Sequence, residues 1–260
     1  MTGTREPVVG RLGPPAILIA TLLVAWEAYC RLTGVSPIVL PSPTRILEQL
    51  WAFRGDAWRN LVPTLAETVV GLAISIAVGI LAAIVMDRFA AVRRALQPVL
   101  VATQTIPVVA IAPLLIIWFG FDLAPKVLMV VLVTFFPVTI ALLDGFAAAS
   151  ADATDLLRSF GASRWQVFGS LRWPAALPSL FTGLRLAVTY GVIGAVFGEF
   201  VGAYEGLGIW MQTSQKSSRT DLVFGAVLLT ALVSVALFGL VVLVERLTIP
   251  WYRASRAAAG

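Results

Sequence analysis

Polar residues come in short bursts along this chain, and the stretches between them are long and oily. Apolar runs occupy about 14–32, 64–86, 95–119, 124–143, 179–202 and 222–246. Roughly 20 apolar residues in a helix cross the hydrocarbon core of a bilayer. The pattern therefore predicts an all-α integral membrane protein with six transmembrane helices, built as one domain over 1–260. Short polar links follow two of the runs, Asp87-Arg88 with Arg93-Arg94 after the second and Gly120-Phe121-Asp122 after the third. The first link and the segment 144–178 are longer.

The first long link contains LPSPTRILEQLWAFRG. Ser42 is placed to cap a helix with Pro43 at its first position. Ile46, Leu47, Leu50 and Trp51 then share one face, and Arg45, Glu48 and Gln49 lie largely opposite. The spacing predicts an amphipathic helix lying in the membrane interface or packed on its own bundle.

Composition agrees with the apolar runs. Of 260 residues, 59% are hydrophobic and 13% charged, with mean hydropathy +0.91. Soluble domains average about 25% charged residues. The net charge of +5 is spread as single arginines between spans, which argues against nucleic acid. Histidine is absent and Cys30 is the sole cysteine, so neither an intrachain disulfide nor a thiolate or imidazole metal cage is expected. Glu27-Ala28-Tyr29 before Cys30 does not fit a lipoprotein signal. Arg5 and Arg11 precede the first run as in a signal peptide, yet no A-x-A-like site follows, so that run reads as an uncleaved helix.

Lysine and arginine set the orientation. With the N-terminus cytoplasmic, that side collects Arg5, Arg11, Arg88, Arg93, Arg94, Arg158, Arg164, Arg172, Arg246, Arg253 and Arg256. The other side collects Arg31, Arg45, Arg54, Arg59, Lys126, Lys216 and Arg219, and Arg185 falls within the fifth run. The bias predicts that both termini, and the segment 144–178, are cytoplasmic.

That segment contains SFGASRWQVFGSLRWPAALP. Gly161 interrupts a polar helical stretch carrying Asp152, Asp155 and Arg158. Ser163 and Gln166 have the spacing of a capping box. A short helix is predicted over Arg164–Leu171, stopped by Pro174 and Pro178. Trp165, Phe168 and Leu171 follow at steps of three. Exposed aromatics on a capped helix require a cover, either the lipid interface or a groove in a partner.

These residues resemble the cytoplasmic loop signature of permease subunits of bacterial ABC importers, E-A-A-x3-G-x9-I-x-L-P. Here the signature reads Asp155-Leu156-Leu157, three residues, Gly161, nine residues, then Leu171-Arg172-Trp173-Pro174. Asp stands for Glu, two leucines for the alanines, and Trp173 for Leu. LPSPTRIL, TIPVVAIAPLLIIWFG and GLGIWM are similar to the nitrate, sulfonate and taurine branch. The segment TYGVIGAVFGEFVGAYEGLGIWMQTSQKS looks more like permeases for the thiamine precursor hydroxymethylpyrimidine and for riboflavin. The resemblance implies a type I ABC importer permease fold in the bacterial inner membrane. It implies a coupling loop in which Asp155, Gly161, Ser163, Arg164, Trp165, Gln166, Phe168, Leu171, Arg172 and Pro174 meet a separate ATPase. The implied partners are an ATPase dimer that binds ATP and Mg, an extracytoplasmic solute-binding protein and a second permease copy.

The rest of the chain is consistent with a transport subunit rather than an enzyme. No P-loop occurs: the only lysines, Lys126 and Lys216, follow Pro125 and Gln215. Paired catalytic carboxylates and nucleophile–base sets are missing. A stand-alone channel or carrier is the competing class. Asn60 is the sole asparagine, too few for Asn-Pro-Ala repeats, and Glu67 and Glu199 fall near span ends.

Pro107 and Pro113 interrupt the third run and Pro137 the fourth, freeing carbonyls that need a polar partner in a membrane. Thr103, Gln104, Thr105 and Pro107, with Glu199 near the outer end of the fifth run, are the candidate translocation path; a kink that only shapes packing is the alternative. Gly194, Gly198 and Gly202 form two small-x-x-x-small steps, read as helix packing or as a ligand wall. Trp118, Phe119 and Trp210 read as interfacial anchors. Arg185 is the one cation within a span and is placed to snorkel. With Glu199 opposing anions, a neutral or cationic heteroaromatic solute is favoured over sulfonate, taurine or nitrate.

Overall fold

The computed structural model describes residues 8–252, with side chains from Gly13 onward; Arg5, Arg253, Arg256 and the side chain of Arg11 lie outside the described residues. The chain is a succession of helices: α1 Val8–Thr33, α2 Pro43–Ala52, α3 Arg54–Arg88, α4 Ala90–Thr103, α5 Val108–Phe119, α6 Leu123–Ala147, α7 Ala151–Ser159, α8 Arg164–Val167, α9 Trp173–Gly202, α10 Leu207–Lys216 and α11 Thr220–Thr248. No strand occurs among the described residues.

Five of these stretches are long and apolar enough to cross a membrane: Gly13–Thr33, Arg54–Arg88, Leu123–Ala147, Arg164–Gly202 and Thr220–Thr248. The sixth, expected as one helix over 95–119, is instead a broken pair. α4 and α5 meet at 101°. Pro107 is the cause on the α5 side: it has no N–H to extend a helix and stands as the N-cap of α5 in extended conformation. Pro113, also expected to interrupt, lies inside α5.

Two compact units emerge. One runs up to Trp58 and takes in Trp210–Leu228; the other holds Arg59–Ile209 and the chain from Leu229 on. In the first unit, Ser42 accepts from Arg45 N at 3.4 Å and starts α2 with Pro43 in its first turn. Only Ile46 of the expected apolar face is buried and Leu50 is half-buried, while Leu47 and Trp51 stay exposed. Asp221 is the electrostatic hub: it accepts from Arg45 at 3.3 Å and from Arg219 at 3.0 Å. Arg219 also donates to Gln49 at 2.8 Å and lies over the Phe53 ring. Glu27 pairs with Arg31 at 2.6 Å and accepts from Thr44, fixing the entry to α2 against α1. Trp210, expected at the interface, is buried.

In the second unit the most extensive packing is α6 against α9. Small residues make it possible. A Cβ on Gly183 would lie 2.6 Å from the Ala141 methyl and 2.7 Å from the Pro137 carbonyl; one on Gly145 would lie 2.8 Å from Ala176. Gly194 and Gly198 sit against Val133 and Lys126 of α6 in the same way, and Gly202 against Phe121 and Ile116. In a membrane, helix association rests on such close backbone approach. Around this seam Leu72, Met86, Val130, Leu142, Phe146, Leu180 and Val188 form the core.

Candidate functional site

The segment after α6 is assembled from local signals. Ser150 caps α7 through Ala153 N at 3.2 Å. Gly161 ends α7 in the left-handed region, φ +83°. Its N–H donates to Arg158 O at 2.9 Å, and Ala162 N donates to Leu157 O at 3.0 Å. That nested pair is a Schellman ending, which favours glycine at the left-handed position. Ser163 then opens α8 with a reciprocal capping box: Ser163 Oγ accepts from Gln166 N at 3.3 Å, and Gln166 Oε1 accepts from Ser163 N at 2.7 Å.

The expected short helix closed by Pro174 and Pro178 does not form. α8 passes through one π-helical turn, Phe168–Arg172, directly into α9, and the helical run Arg164–Gly202 is 39 residues long. Trp173 N donates to Phe168 O, five residues back. The ladder is thus reset just ahead of Pro174, which falls in the first turn of α9, where a missing N–H costs little.

One side of this segment is anchored. Phe168 and Trp173 pack on Phe146 of α6 with ring centroids 5.4 and 6.2 Å away. Arg172 makes a two-pronged pair with Asp87 of α3, both bonds 2.7 Å, and also donates to Phe146 O at 3.2 Å. Arg172 is therefore engaged within the chain. Leu171 and Pro174 are half-buried. The other side is open: Trp165 is 75% and Phe160 80% exposed, with Leu156, Arg164 and Asp155 exposed beside them. Asp155 reaches Arg158 only at 3.7 Å, an exposed contact of little energetic weight.

Deeper in the same unit lies a cavity of about 1000 Å³ walled by α3, α5, α6, α9 and the end of α4. Phe135, Phe136 and Tyr190 bring aromatic surface to it; Asp144, Ser179 and Thr182 bring polar groups. Among the described residues, no lysine or arginine lines it. Of the expected path residues, Thr103 and Gln104 line the cavity, whereas Thr105 and Pro107 sit in the α4–α5 break without lining it. The hydroxyls of Thr103 and Thr105 bond to Leu100 O and Ala102 O, both at 2.7 Å. Glu199 is not in the cavity. Ser179, Thr182, Leu186 and Tyr190 were not singled out from sequence, although their spacing of three and four places them on one face of α9.

Comparison with known proteins decides the family. Residues 75–250 match the model of the binding-protein-dependent transport system inner membrane component. The chain belongs to this family. It is 38% identical over 238 residues to the formylaminopyrimidine transport permease protein ThiX of Halalkalibacterium halodurans, covering 91% of this chain and 95% of that one. It is 35% identical to the riboflavin transport system permease protein RibX of Chloroflexus aurantiacus (92% and 90% covered) and 33% identical to the taurine transport system permease protein TauC of Escherichia coli (90% and 88%). A crystal structure of an amino acid ABC transporter with histidines shares the fold, with TM-score 0.63 over 77% of this chain and 97% of that one at 14% identity. The protein is thus a multi-pass inner-membrane permease subunit of an ABC importer.

Glu199 holds together a second, buried cluster in this permease. It is fully buried. Thr64 Oγ1 donates to Glu199 Oε1 and Gly208 N to Oε2, each at 2.5 Å. Leu207 N donates to Thr64 Oγ1 at 2.8 Å, Gly206 N to Asn60 Oδ1 at 3.0 Å, and Arg59 pairs with Glu205 at 2.7 Å. These bonds strap the connection between α9 and α10 onto α3. Gly206, φ +136°, lies so close to the Glu199 carboxylate that no side chain fits. Nearby in sequence, Glu67 pairs with Lys126 at 2.8 Å with both nearly buried. Arg185, the cation within the fifth run, pairs with Glu245 of α11.

Proposed function

We propose that this permease forms the solute path of an ATP-driven importer and carries a small neutral or cationic heteroaromatic compound, such as a formylated or hydroxymethylated aminopyrimidine or riboflavin. The observation that carries the reading is the cavity lining: three aromatic rings, hydroxyls and one carboxylate, with no cation. Flat rings stack on such walls, and polar groups at a few points fix orientation. A sulfonate or nitrate in the same space would lose its hydration shell without a cationic partner. The similarity to ThiX and RibX supports the reading, while the similarity to TauC makes taurine the solute to test against it.

In this account the segment 155–174 docks on a separate ATPase dimer, which binds ATP and Mg. A second copy of the permease completes the path and a solute-binding protein delivers the cargo. The chain acts as a single permease domain with both termini cytoplasmic, and it alternates between outward and inward access as the ATPases close and reopen. The test is uptake into proteoliposomes holding the permease, its ATPase and its binding protein. ATP-dependent uptake of radiolabelled aminopyrimidine or riboflavin, with taurine neither carried nor competing, supports the proposal. Taurine uptake with no heteroaromatic uptake overturns it.

A further inference from the structure

The large cavity has two unlike ends. Phe135, Phe136 and Tyr190 line one; Asp144, Ser179 and Thr182 line the other. Gly191, next to Tyr190, packs on Thr134, so the aromatic end lies level with residues 134–136 of α6. At 1.5 Å per helical residue, Asp144 is roughly 12–15 Å further along that helix. Ser179 joins it there: a Cβ on Gly145 would lie 2.9 Å from the Ser179 Cβ. Between the two ends the wall is small, Ala141 against Gly183. A single pyrimidine ring is too short to touch both ends at once.

No contact within the chain accounts for Asp144. It stands in the last turn of α6, where a negative charge opposes the helix dipole and no basic residue of that turn offsets it. Among the described residues, no cation lies within ion-pair distance of its carboxylate, and neither that carboxylate nor the Ser179 hydroxyl has a hydrogen-bond partner. The threonine hydroxyls of the cavity differ: those of Thr103 and Thr182 are taken up by Leu100 O at 2.7 Å and Pro178 O at 3.0 Å. Asp144 and Ser179 thus keep their bonding capacity for what enters the cavity. A carboxylate accepts N–H donors, and a hydroxyl adds one donor and an acceptor. An aminopyrimidine offers such N–H groups, whereas a sulfonate brings only acceptors and a like charge, which a carboxylate repels. We propose that Asp144, with Ser179 beside it, is a second solute station that sets the selectivity of the path: it accepts N–H donors from a solute leaving the aromatic end and turns anions away. This rests on the reading of the cavity as the solute path.

The test is ATP-dependent uptake into proteoliposomes holding the permease, its ATPase and its binding protein, with the hydroxymethylated aminopyrimidine compared against the same ring lacking its amino group. If riboflavin is the solute carried, riboflavin methylated at its imide nitrogen takes the second place. One binding protein serves every variant, so a change in the ratio of the two rates belongs to the permease. A hydrogen bond to a charged group changes binding roughly 10- to 100-fold, so D144N should lower the ratio at least tenfold while melting as wild type does. D144E, which keeps the charge, should retain part of the preference. D122N removes a carboxylate at the opposite end of α6, outside the cavity, and should leave the ratio unchanged. A ratio unaltered in D144N, equal carriage of the two probes by wild type, or an equal loss in D122N overturns the role of Asp144 and leaves the cavity as the solute path. A D144N protein that melts well below wild type makes the carboxylate structural and overturns the proposal too. Wild type that carries taurine and no heteroaromatic compound overturns the reading of the solute itself, and this station with it.

Discussion

Arg172 and Asp87, 85 residues apart, close a two-pronged ion pair with both bonds at 2.7 Å. The pair ties the π-turn after α8 to the end of α3, next to the Phe146–Phe168–Trp173 ring cluster. The segment that protrudes is therefore not a loose loop. It is the head of a 39-residue helical run, stapled to a second span. A displacement imposed on Trp165 has a stiff route into the spans.

Breaking that staple should loosen the route without unfolding the protein. Asp87 is 12% and Arg172 30% exposed, so the cost of an orphaned partner falls below that of a fully buried pair, at about 2 kcal/mol. Asp87→Asn should lower the melting midpoint by a few degrees and raise ATP hydrolysed per solute carried. The exchanged pair Asp87→Arg with Arg172→Asp should recover part of both. Unchanged coupling in Asp87→Asn would remove the pair from the transmission route.

Gly161 is held at φ +83° in open space, with no atom near a Cβ placed there. The cost of a side chain is then backbone strain alone, about 1–2 kcal/mol for an ordinary L-residue. Thermal unfolding should rank Gly161→Asn above Gly161→Ala above Gly161→Val, because asparagine tolerates the left-handed region best. Equal stability of all three would contradict the Schellman ending.

Close helix approach predicts a sharper contrast. Gly183→Val drives a branched side chain into Ala141 and the Pro137 carbonyl; overpacking of this kind costs about 1–3 kcal/mol or more and should reduce the folded yield seen by size-exclusion chromatography. Gly169→Ala, with nothing within 4 Å, should elute as wild type does.

Glu199→Ala leaves the Gly208 N–H without its buried acceptor, while the Thr64 hydroxyl keeps Asn60 O at 3.1 Å. A buried unmet group costs roughly 1–3 kcal/mol, so melting should fall. Because Glu199 lies outside the cavity, whatever protein folds should keep its KM for solute. An altered KM with normal stability would return Glu199 to the path.

Much of this architecture is written locally. Apolar runs mark the spans because a bilayer demands their length, and Ser42, Gly161, Ser163 and Gln166 mark helix ends because caps act within four residues. The features that local pattern does not reveal depend on distant groups. Residues 95–119 count as one apolar run, and nothing in the count reveals a 101° turn. Pro174 and Pro178 look like stops, yet a π-turn upstream absorbs the first. The bond of Glu199 to Thr64, 135 positions away, leaves no trace in local spacing. The α9 face from Ser179 to Tyr190 was visible as spacing, but only packing against α5 and α6 makes it a cavity wall.

The central claim is that the exposed face around Trp165 joins this permease to its motor. The direct measurement is co-purification of the ATPase with tagged permease, comparing wild type with Trp165→Ala in lipid nanodiscs. A fully covered Trp165 contributes about 1.5–3 kcal/mol, so the account predicts ATPase bound to wild type and at least tenfold weaker binding to a variant that melts normally. Equal ATPase recovery with Trp165→Ala, or none with wild type, would contradict it.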